Sequence, residues 1–136
     1  LVRQLAQNPN GNSLDLLTEH IALEDTARAQ NERTEIIRLS GEFHTKLAQS
    51  TGNKFIARVM RELVTRTSLI VGLFGSSKNA SCPDDEHTNI LDAIQSQNPD
   101  LAERLLVSHL EHIQNGLDME ALQEPQNDLA AILGSN

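Results

Sequence analysis

Several residue types are scarce or missing in this sequence of 136 residues. There is a single cysteine, Cys82, which excludes an internal disulfide and fits a reducing cytoplasm. No apolar run reaches the roughly 18 residues that a membrane-spanning helix needs, and no signal peptide is recognisable. Glycine and proline are sparse, and aromatic residues are nearly absent. These shortages predict a cytoplasmic protein with no membrane span and no disulfide framework.

Leucine, alanine, isoleucine, glutamate, glutamine and arginine dominate the composition, which favours an all-helical domain. A chain of this length forms about one domain with a single sizeable core. Acidic residues outnumber basic ones, and the net charge is −8 with a pI of about 5.0. Because an acidic surface repels phosphate, this chain alone is a poor candidate for binding DNA, RNA or an anionic membrane.

Breaker residues and N-caps divide the chain into helical segments. The first segment is already helical at Leu1, so we expect the sequence to be a piece of a longer protein. Gly52 predicts a helix end, and Asn53 predicts the N-cap of the next helix. The predicted helices cover 1–7, 13–30, 31–50, 54 to about 72–75, a segment from Pro83, and 99–117. Ser13, Asn31 and Asn98 are the predicted N-caps of the second, third and last of these helices, and Pro99 takes the first position of the last one. We therefore expect a helical domain at 1–118 and a tail at 119–136.

The helix that follows Asn53 is the most apolar of the chain. Its apolar residues are Phe55, Ile56, Val59, Met60, Leu63, Val64, Leu69, Ile70 and Val71. They cover more than one stripe of the helix, a pattern typical of a central helix in a bundle. We therefore expect this helix at the centre of the domain.

Three histidines lie on the apolar stripes of three different helices. They are His44, His87 and His109. Polar side chains that point into one small core must lie close together, and neutral imidazole is the commonest metal ligand. The pattern therefore indicates a shared metal or anion site with open positions. The alternative is three separate hydrogen bonds to the backbone or to serine and threonine.

Other polar residues of these helices are expected to face solvent. His20 and His112 fall beside helix faces rich in glutamate and glutamine, and the acids of the second helix are expected outside together with Arg28. The acids at 84–86 complement the positive end of a helix dipole, so we expect them to be committed to that helix start.

The run from Leu14 to Leu117 resembles the C-terminal effector-binding domain of GntR-type bacterial transcriptional regulators, the FadR-like FCD group. Four motifs in register carry the resemblance: LSGEFHTKLAQSTGN at 39–53, ARVMRELVTRTSLI at 57–70, DEHTNILDAI at 85–94 and NPDLAERLLVSHLEHI at 98–113. The resemblance implies an antiparallel bundle of six to seven helices that pairs as a homodimer. It also implies that residues 1–7 are the remnant of a truncated first helix. The winged helix-turn-helix through which such regulators bind DNA is not in this sequence.

The resemblance further implies a divalent metal, often zinc or nickel, deep in the bundle. The ligand positions of the group fall on Ser40, His44, His87 and His109. The serine departs from the acid or asparagine usual there, because a neutral hydroxyl is a poor ligand and adds no charge.

In such regulators a small carboxylate metabolite reaches the open metal positions and is paired by an arginine. The matching residue is Arg66, whose guanidinium suits two-point contact with a carboxylate, and Thr67 and Ser68 are further candidates for the same pocket. The alternative for Arg66 is a surface arginine that covers apolar area with its stem.

Two other classes of function fit parts of the pattern. Three histidines around an open metal position also describe hydrolases and oxygenases, but such an enzyme needs a general base near the metal. An all-helical dimerisation module without a ligand is the third alternative. The resemblance favours a sensor that binds its ligand without converting it.

Overall fold

The structure, a computed structural model, describes residues 1–75 and 85–117. Six α-helices make up this part of the chain: α1 (Val2–Gln7), α2 (Gly11–Ala29), α3 (Arg33–Gln49), α4 (Lys54–Phe74), α5 (Glu86–Gln95) and α6 (Pro99–Asn115). An isolated bridge between Gly75 and Leu117 is the one β-type contact recorded among these residues. The predicted all-α fold is confirmed. Cys82, the helix start at Pro83 and the tail at 119–136 lie outside the described residues.

Two predicted helix starts differ from the structure. α2 begins two residues before Ser13, because the side chain of Asn10 accepts a hydrogen bond from the backbone N–H of Asn12 at 3.1 Å and caps the helix there. Asn31 does not cap α3. Its φ of 55° places it in the left-handed region, which asparagine tolerates, and the chain turns there before α3 begins at Arg33.

The predicted break between α3 and α4 is confirmed in detail. Gly52 has a φ of 73°, a conformation that favours a residue without Cβ. The side chain of Asn53 then accepts hydrogen bonds from the backbone N–H groups of Phe55 and Ile56. Asn98 caps α6 in the same way by accepting from Leu101, and Pro99 occupies the first turn. These caps fix where each helix enters the bundle.

The core lies between α1, α2, α3, α5 and α6. α5 contacts α1, α2 and α6, while α3 packs between α2 and α4. The buried cluster consists of apolar side chains from these five helices, namely Val2, Leu5, Ala6, Leu17, Ile21, Phe43, Leu47, Ile90, Leu91, Ala93, Ile94 and Ala102. Phe43 is completely buried, and its ring stacks on that of His87 at a centroid distance of 4.0 Å. The core therefore extends up to the histidine cluster.

α4 lies at the edge of the bundle, so its predicted central position is wrong. Ala57 is the one residue of α4 that is buried, and the helix packs mainly on α3. The close approach is made at Gly41 of α3, where an added Cβ would lie 2.6 Å from Oγ of Ser68 and 2.8 Å from Cγ1 of Val64. The apolar residues of α4 on the opposite side remain exposed.

No helix among residues 1–75 and 85–117 has the length and apolar character needed to cross a bilayer.

Candidate metal centre

The structure brings together the three histidines that the sequence singled out. His44 comes from α3, His87 from the first turn of α5, and His109 from α6. Nε2 of His109 lies 3.0 Å from Nε2 of His44 and 3.2 Å from Nε2 of His87. The candidate ligand nitrogens all lie within 4.8 Å of one another. Three helices distant in sequence therefore present one group of nitrogens.

These separations suit a shared metal ion. Nitrogen ligands bind Zn²⁺ at about 2.0–2.1 Å, so two ligands that subtend about 90–110° at the ion lie about 2.8–3.4 Å apart. The two measured separations, 3.0 and 3.2 Å, fall within that range. This buried three-histidine group could hold a metal ion.

A buried glutamate orients His87. Nδ1–H of His87 donates to Oε2 of Glu24 at 2.7 Å, and both side chains are 2% exposed. An ionised carboxylate only accepts hydrogen bonds, so Nδ1 of His87 carries a proton, and in the neutral ring the lone pair of Nε2 then faces the cluster. A carboxylate behind a ligand histidine is the usual support of protein metal sites.

A second glutamate does the same for His109. Nδ1–H of His109 donates to Oε2 of Glu86 at 2.8 Å, while the other carboxylate oxygen of Glu86 contacts Nδ1 of His112. The lone pair of Nε2 of His109 therefore also faces the cluster. Two inward lone pairs 3.2 Å apart cannot bond to each other, whereas a cation shared by the three rings could accept both, and Nε2–H of His44 could donate to His109 at 3.0 Å in its absence.

Burial keeps His44 and His109 in the neutral form. Burial, and then the neighbouring charges of His87 and His109, lowers the pKa of His44 to about 3. Burial followed by His87 also lowers the pKa of His109, although Glu86 opposes this shift. Both imidazoles are therefore neutral near pH 7, and neutral imidazole is the form that binds a metal.

Glu24 remains charged although it is buried. Burial alone raises the pKa of Glu24, but the nearby ring of His20, the hydrogen bond from His87 and the charge of Arg28 together outweigh burial and bring the pKa down to about 2. Arg28 adds a further cation, with Nη2 lying 3.3 Å from Oε2 of Glu24. An ionised carboxylate, paired with Arg28, therefore lies directly behind His87.

Two expectations about this region are wrong, and a third is incomplete. His20 is 2% exposed instead of solvated, and its Nε2–H donates to the carbonyl of Leu39 at 2.8 Å. Glu24 faces inward, as its spacing of three and seven residues from the buried Ile21 and Leu17 could have indicated. Glu86 does lie in the first turn of α5, but its carboxylate also contacts two histidines of α6. His112 is half exposed, at 52% of its side chain.

The remaining predicted site residues lie on α3 and α4. Ser40 is half-buried on α3, one turn before His44. Arg66 and Thr67 are exposed on α4, and Ser68 is half-buried at the contact with α3. Ser68 lines a groove of about 500 Å³ between α3 and α4, together with Arg38, Glu42, Thr45, Lys46, Gln49, Arg61, Val64 and Thr65. The surface position of Arg66 agrees with the second of its two interpretations, and its role in effector binding stays a prediction.

Comparison with known proteins assigns the chain to a family. The FCD domain family matches residues 1–112. The HTH-type transcriptional repressor NanR of Klebsiella aerogenes is 28% identical over 122 residues, which are 83% of this chain and 44% of the repressor. NanR of Escherichia coli K12 is 30% identical over 118 residues, covering 83% of this chain and 43% of the repressor, as is NanR of Shigella flexneri. The chain thus spans less than half the length of these relatives.

Proposed function

Since this chain belongs to the FCD domain family, we propose that it is the ligand-sensing domain of a bacterial transcriptional regulator. In this proposal a small carboxylate metabolite binds at the three-histidine site, and binding is transmitted to a winged helix-turn-helix domain outside this sequence. The relatives support the proposal, because they are named as HTH-type repressors and the chain matches less than half of their length. The regulator acts on DNA in the cytoplasm, and the helical domain at 1–118 is its sensing part.

The observation that carries the proposal is the inward convergence of His44, His87 and His109. In the proposal these residues hold a divalent ion, zinc or nickel, since borderline metals of this kind prefer imidazole nitrogen. The ion supplies a Lewis-acidic positive charge to which a carboxylate is attracted. Ser40, at the fourth position, brings no negative charge, so more of the ion's charge is left for the guest.

Recognition fits this site better than turnover does. A hydrolytic metal site needs a general base beside the metal. The two carboxylates near the cluster, Glu24 and Glu86, each accept a hydrogen bond from the Nδ1–H of a cluster histidine. Both carboxylates lie at Nδ1, on the side of the ring away from the grouped Nε2 atoms, and this position supports a binding site in preference to an enzyme.

The guest's carboxylate is proposed to be paired by Arg66, with Thr67 and Ser68 beside it. Arg66 is exposed on α4 in the single chain. The exposed guanidinium is accessible to an anion, and its planar fork matches a carboxylate at two points. Arg66→Ala should weaken carboxylate binding at least tenfold in calorimetry, whereas Arg58→Ala, exposed on the same helix, should not. Equal affinities of the two variants would remove Arg66 from the proposal.

A homodimer is the assembly that the exposed side of α4 supports. Phe55 is 73% exposed, Leu63 54%, Ile70 38% and Leu73 67%, and these spacings place them on one side of the helix. A contiguous apolar surface of this kind marks a protein interaction site. Leu63→Glu should convert a dimer to a monomer in sedimentation equilibrium, whereas Leu16→Glu on α2, where Leu16 is 57% exposed, should not. A monomeric wild type would contradict this assembly.

Elemental analysis of the purified chain tests the central claim. We expect close to one divalent ion per chain, and much less in His109→Ala. His112→Ala is the matched control, because His112 lies one turn later on α6 and is not among the three grouped nitrogens. Negligible metal in all three proteins would overturn the metal site.

Ligand and substrate roles are separated by adding metal and then a panel of carboxylic acids. A sensor gains melting temperature from its ligand and leaves it chemically unchanged. An enzyme would convert one of the acids, and a dimerisation module would respond to neither addition.

A further inference from the structure

We propose that Glu24 is a positioning residue for the metal centre: through His87 it supplies the anionic support that holds the ion. The inference rests on the proposed function, since it concerns the same site. Glu24 belongs to α2, which contributes none of the three grouped histidines. The proposal therefore adds a fourth helix to the metal centre.

The geometry distinguishes Glu24 from an ordinary core ion pair. Its carboxylate is 2% exposed, and one oxygen, Oε2, contacts both Nδ1 of His87 at 2.7 Å and Nη2 of Arg28 at 3.3 Å. His20 approaches the other oxygen with Nε2 at 3.4 Å. Oε2 is thus held by two donors, and its shortest contact is the one to the cluster, while Oε1 makes no hydrogen bond among the described residues.

Charge explains why this support matters. Three neutral imidazoles around a divalent ion leave two positive charges in a buried place, which is costly without a compensating anion. Glu24 provides a permanent negative charge one imidazole ring away from the ion. Hydrogen bonding to that anion also raises the basicity of the ring nitrogen that faces the ion.

The two supporting glutamates should differ in strength. Glu86 is 13% exposed and divides its carboxylate between His109 and the exposed His112, so water screens part of its charge. Glu24 also pairs with Arg28, but it is only 2% exposed, so water screens its charge toward His87 much less. Removing the charge of Glu24 should therefore cost more metal affinity than removing that of Glu86.

Zinc affinity of the metal-stripped chain is the test, measured by titration against a chelator of known affinity. Glu24→Gln keeps the size of the side chain and a carbonyl oxygen that can accept from Nδ1–H, and it removes the charge. We expect a 10- to 100-fold loss of zinc affinity, a smaller loss in Glu86→Gln, and none in Glu19→Gln. Glu19 is the matched control, because it is exposed on the same helix.

A second readout separates support of the metal from support of the fold. Imidazole nitrogen NMR should show Nδ1 of His87 protonated in the zinc-bound wild type, with weaker protection of that proton in Glu24→Gln. Thermal melting in chelator reports the stability of each metal-free variant. If Glu24→Gln does not fold, Glu24→Asp is measured in its place, because the aspartate carboxylate ends one methylene short of His87. Unchanged zinc affinity in Glu24→Asp would overturn the proposal.

The possible failures are distinguishable. If the wild type binds no zinc, the proposed function fails at its metal site. If the wild type binds zinc and folded Glu24→Gln binds it equally well, the metal site stands and the positioning role of Glu24 is refuted.

Discussion

The metal-free domain should lose stability as the pH falls from 8 to 5, and His44 should account for a large part of that loss. The pKa of His44 is lowered from 6.5 to about 3, chiefly by burial. Between these two values the unfolded chain takes up a proton that the folded chain refuses. Stability due to neutral His44 is therefore fully present above pH 6.5 and is lost as the pH falls through that value.

The size of the effect follows from the two pKa values. At pH 5 an unfolded imidazole of pKa 6.5 is about 97% protonated, whereas folded His44 remains almost fully neutral. Integrated from pH 8, the difference destabilises the fold by about 2 kcal/mol. This corresponds to a decrease in melting temperature of roughly 6–8 °C for a domain of this size. His109, whose pKa is also lowered, adds a loss of the same sign.

Urea denaturation of the chelator-treated chain, followed by circular dichroism at several pH values, measures this loss. In His44→Gln the loss between pH 8 and 5 should shrink by about 2 kcal/mol. His112→Gln is the matched control, because it removes an imidazole that is 52% exposed. Glu24 adds little to the loss of stability between pH 8 and 5, because its stabilising charge is lost only below its usual pKa of 4.5. A His44→Gln chain with the wild-type pH dependence would refute the reasoning.

Three backbone positions give further predictions for the free energy of unfolding in the same assay. Gly41→Ala should destabilise the chain by about 1–2 kcal/mol, because overpacking against Ser68 outweighs the gain in helix propensity; Gly72→Ala, with open space around it, should instead stabilise slightly. Gly52→Ala should cost about 1 kcal/mol, since its φ is 73°. Asn53→Ala should cost about 1 kcal/mol by removing the cap of α4. If Gly41→Ala left the stability unchanged, α3 and α4 would be able to move apart without a loss of free energy. If Gly52→Ala and Asn53→Ala left it unchanged, the end of α3 and the cap of α4 would not contribute to stability.

The helical fold and the meeting of three histidines could be predicted because both depend on local spacing. Helix ends at Gly52 and Asn53 are set by residues that act on their immediate neighbours. His44, His87 and His109 each continue an apolar stripe, and a small core has one interior in which such stripes meet. The same reasoning gave no partner for the outward-facing nitrogens of these rings.

The supporting glutamates could not be predicted because their role depends on contacts across the fold. Glu24 and His87 are 63 residues apart in sequence, and Glu86 and His109 are 23 apart. A glutamate on a helix is exposed unless a partner compensates its burial, so composition argues for solvent. The partner of Glu24 becomes visible only when α2 and α5 are packed together.

The position of α4 was mispredicted for a related reason. Apolar residues on more than one stripe indicate that more than one side is covered, but not by which chain. In the single chain one side of α4 meets α3 at Gly41, and the other carries Phe55 and Leu63 in the open. A second copy of the chain that covered the exposed side would account for the apolar pattern. The assembly in solution therefore decides whether both apolar sides of α4 are covered, one by α3 and the other by a partner.

The arrangement of the cluster bears on how binding could be transmitted. His44 on α3, His87 on α5 and His109 on α6 meet at one point, and Glu24 adds α2 by a hydrogen bond of 2.7 Å. An ion at that point would connect four helices that are otherwise held together by apolar packing and by a few side-chain hydrogen bonds, such as those from His20 to Leu39 and from His109 to Glu86. A ligand that displaced the ion toward itself would therefore act on all four helices at once. Such a ligand can shift the domain between two arrangements only if it binds them with different affinity. The short contact between Glu24 and His87 would raise the free energy of one arrangement when the ion is displaced.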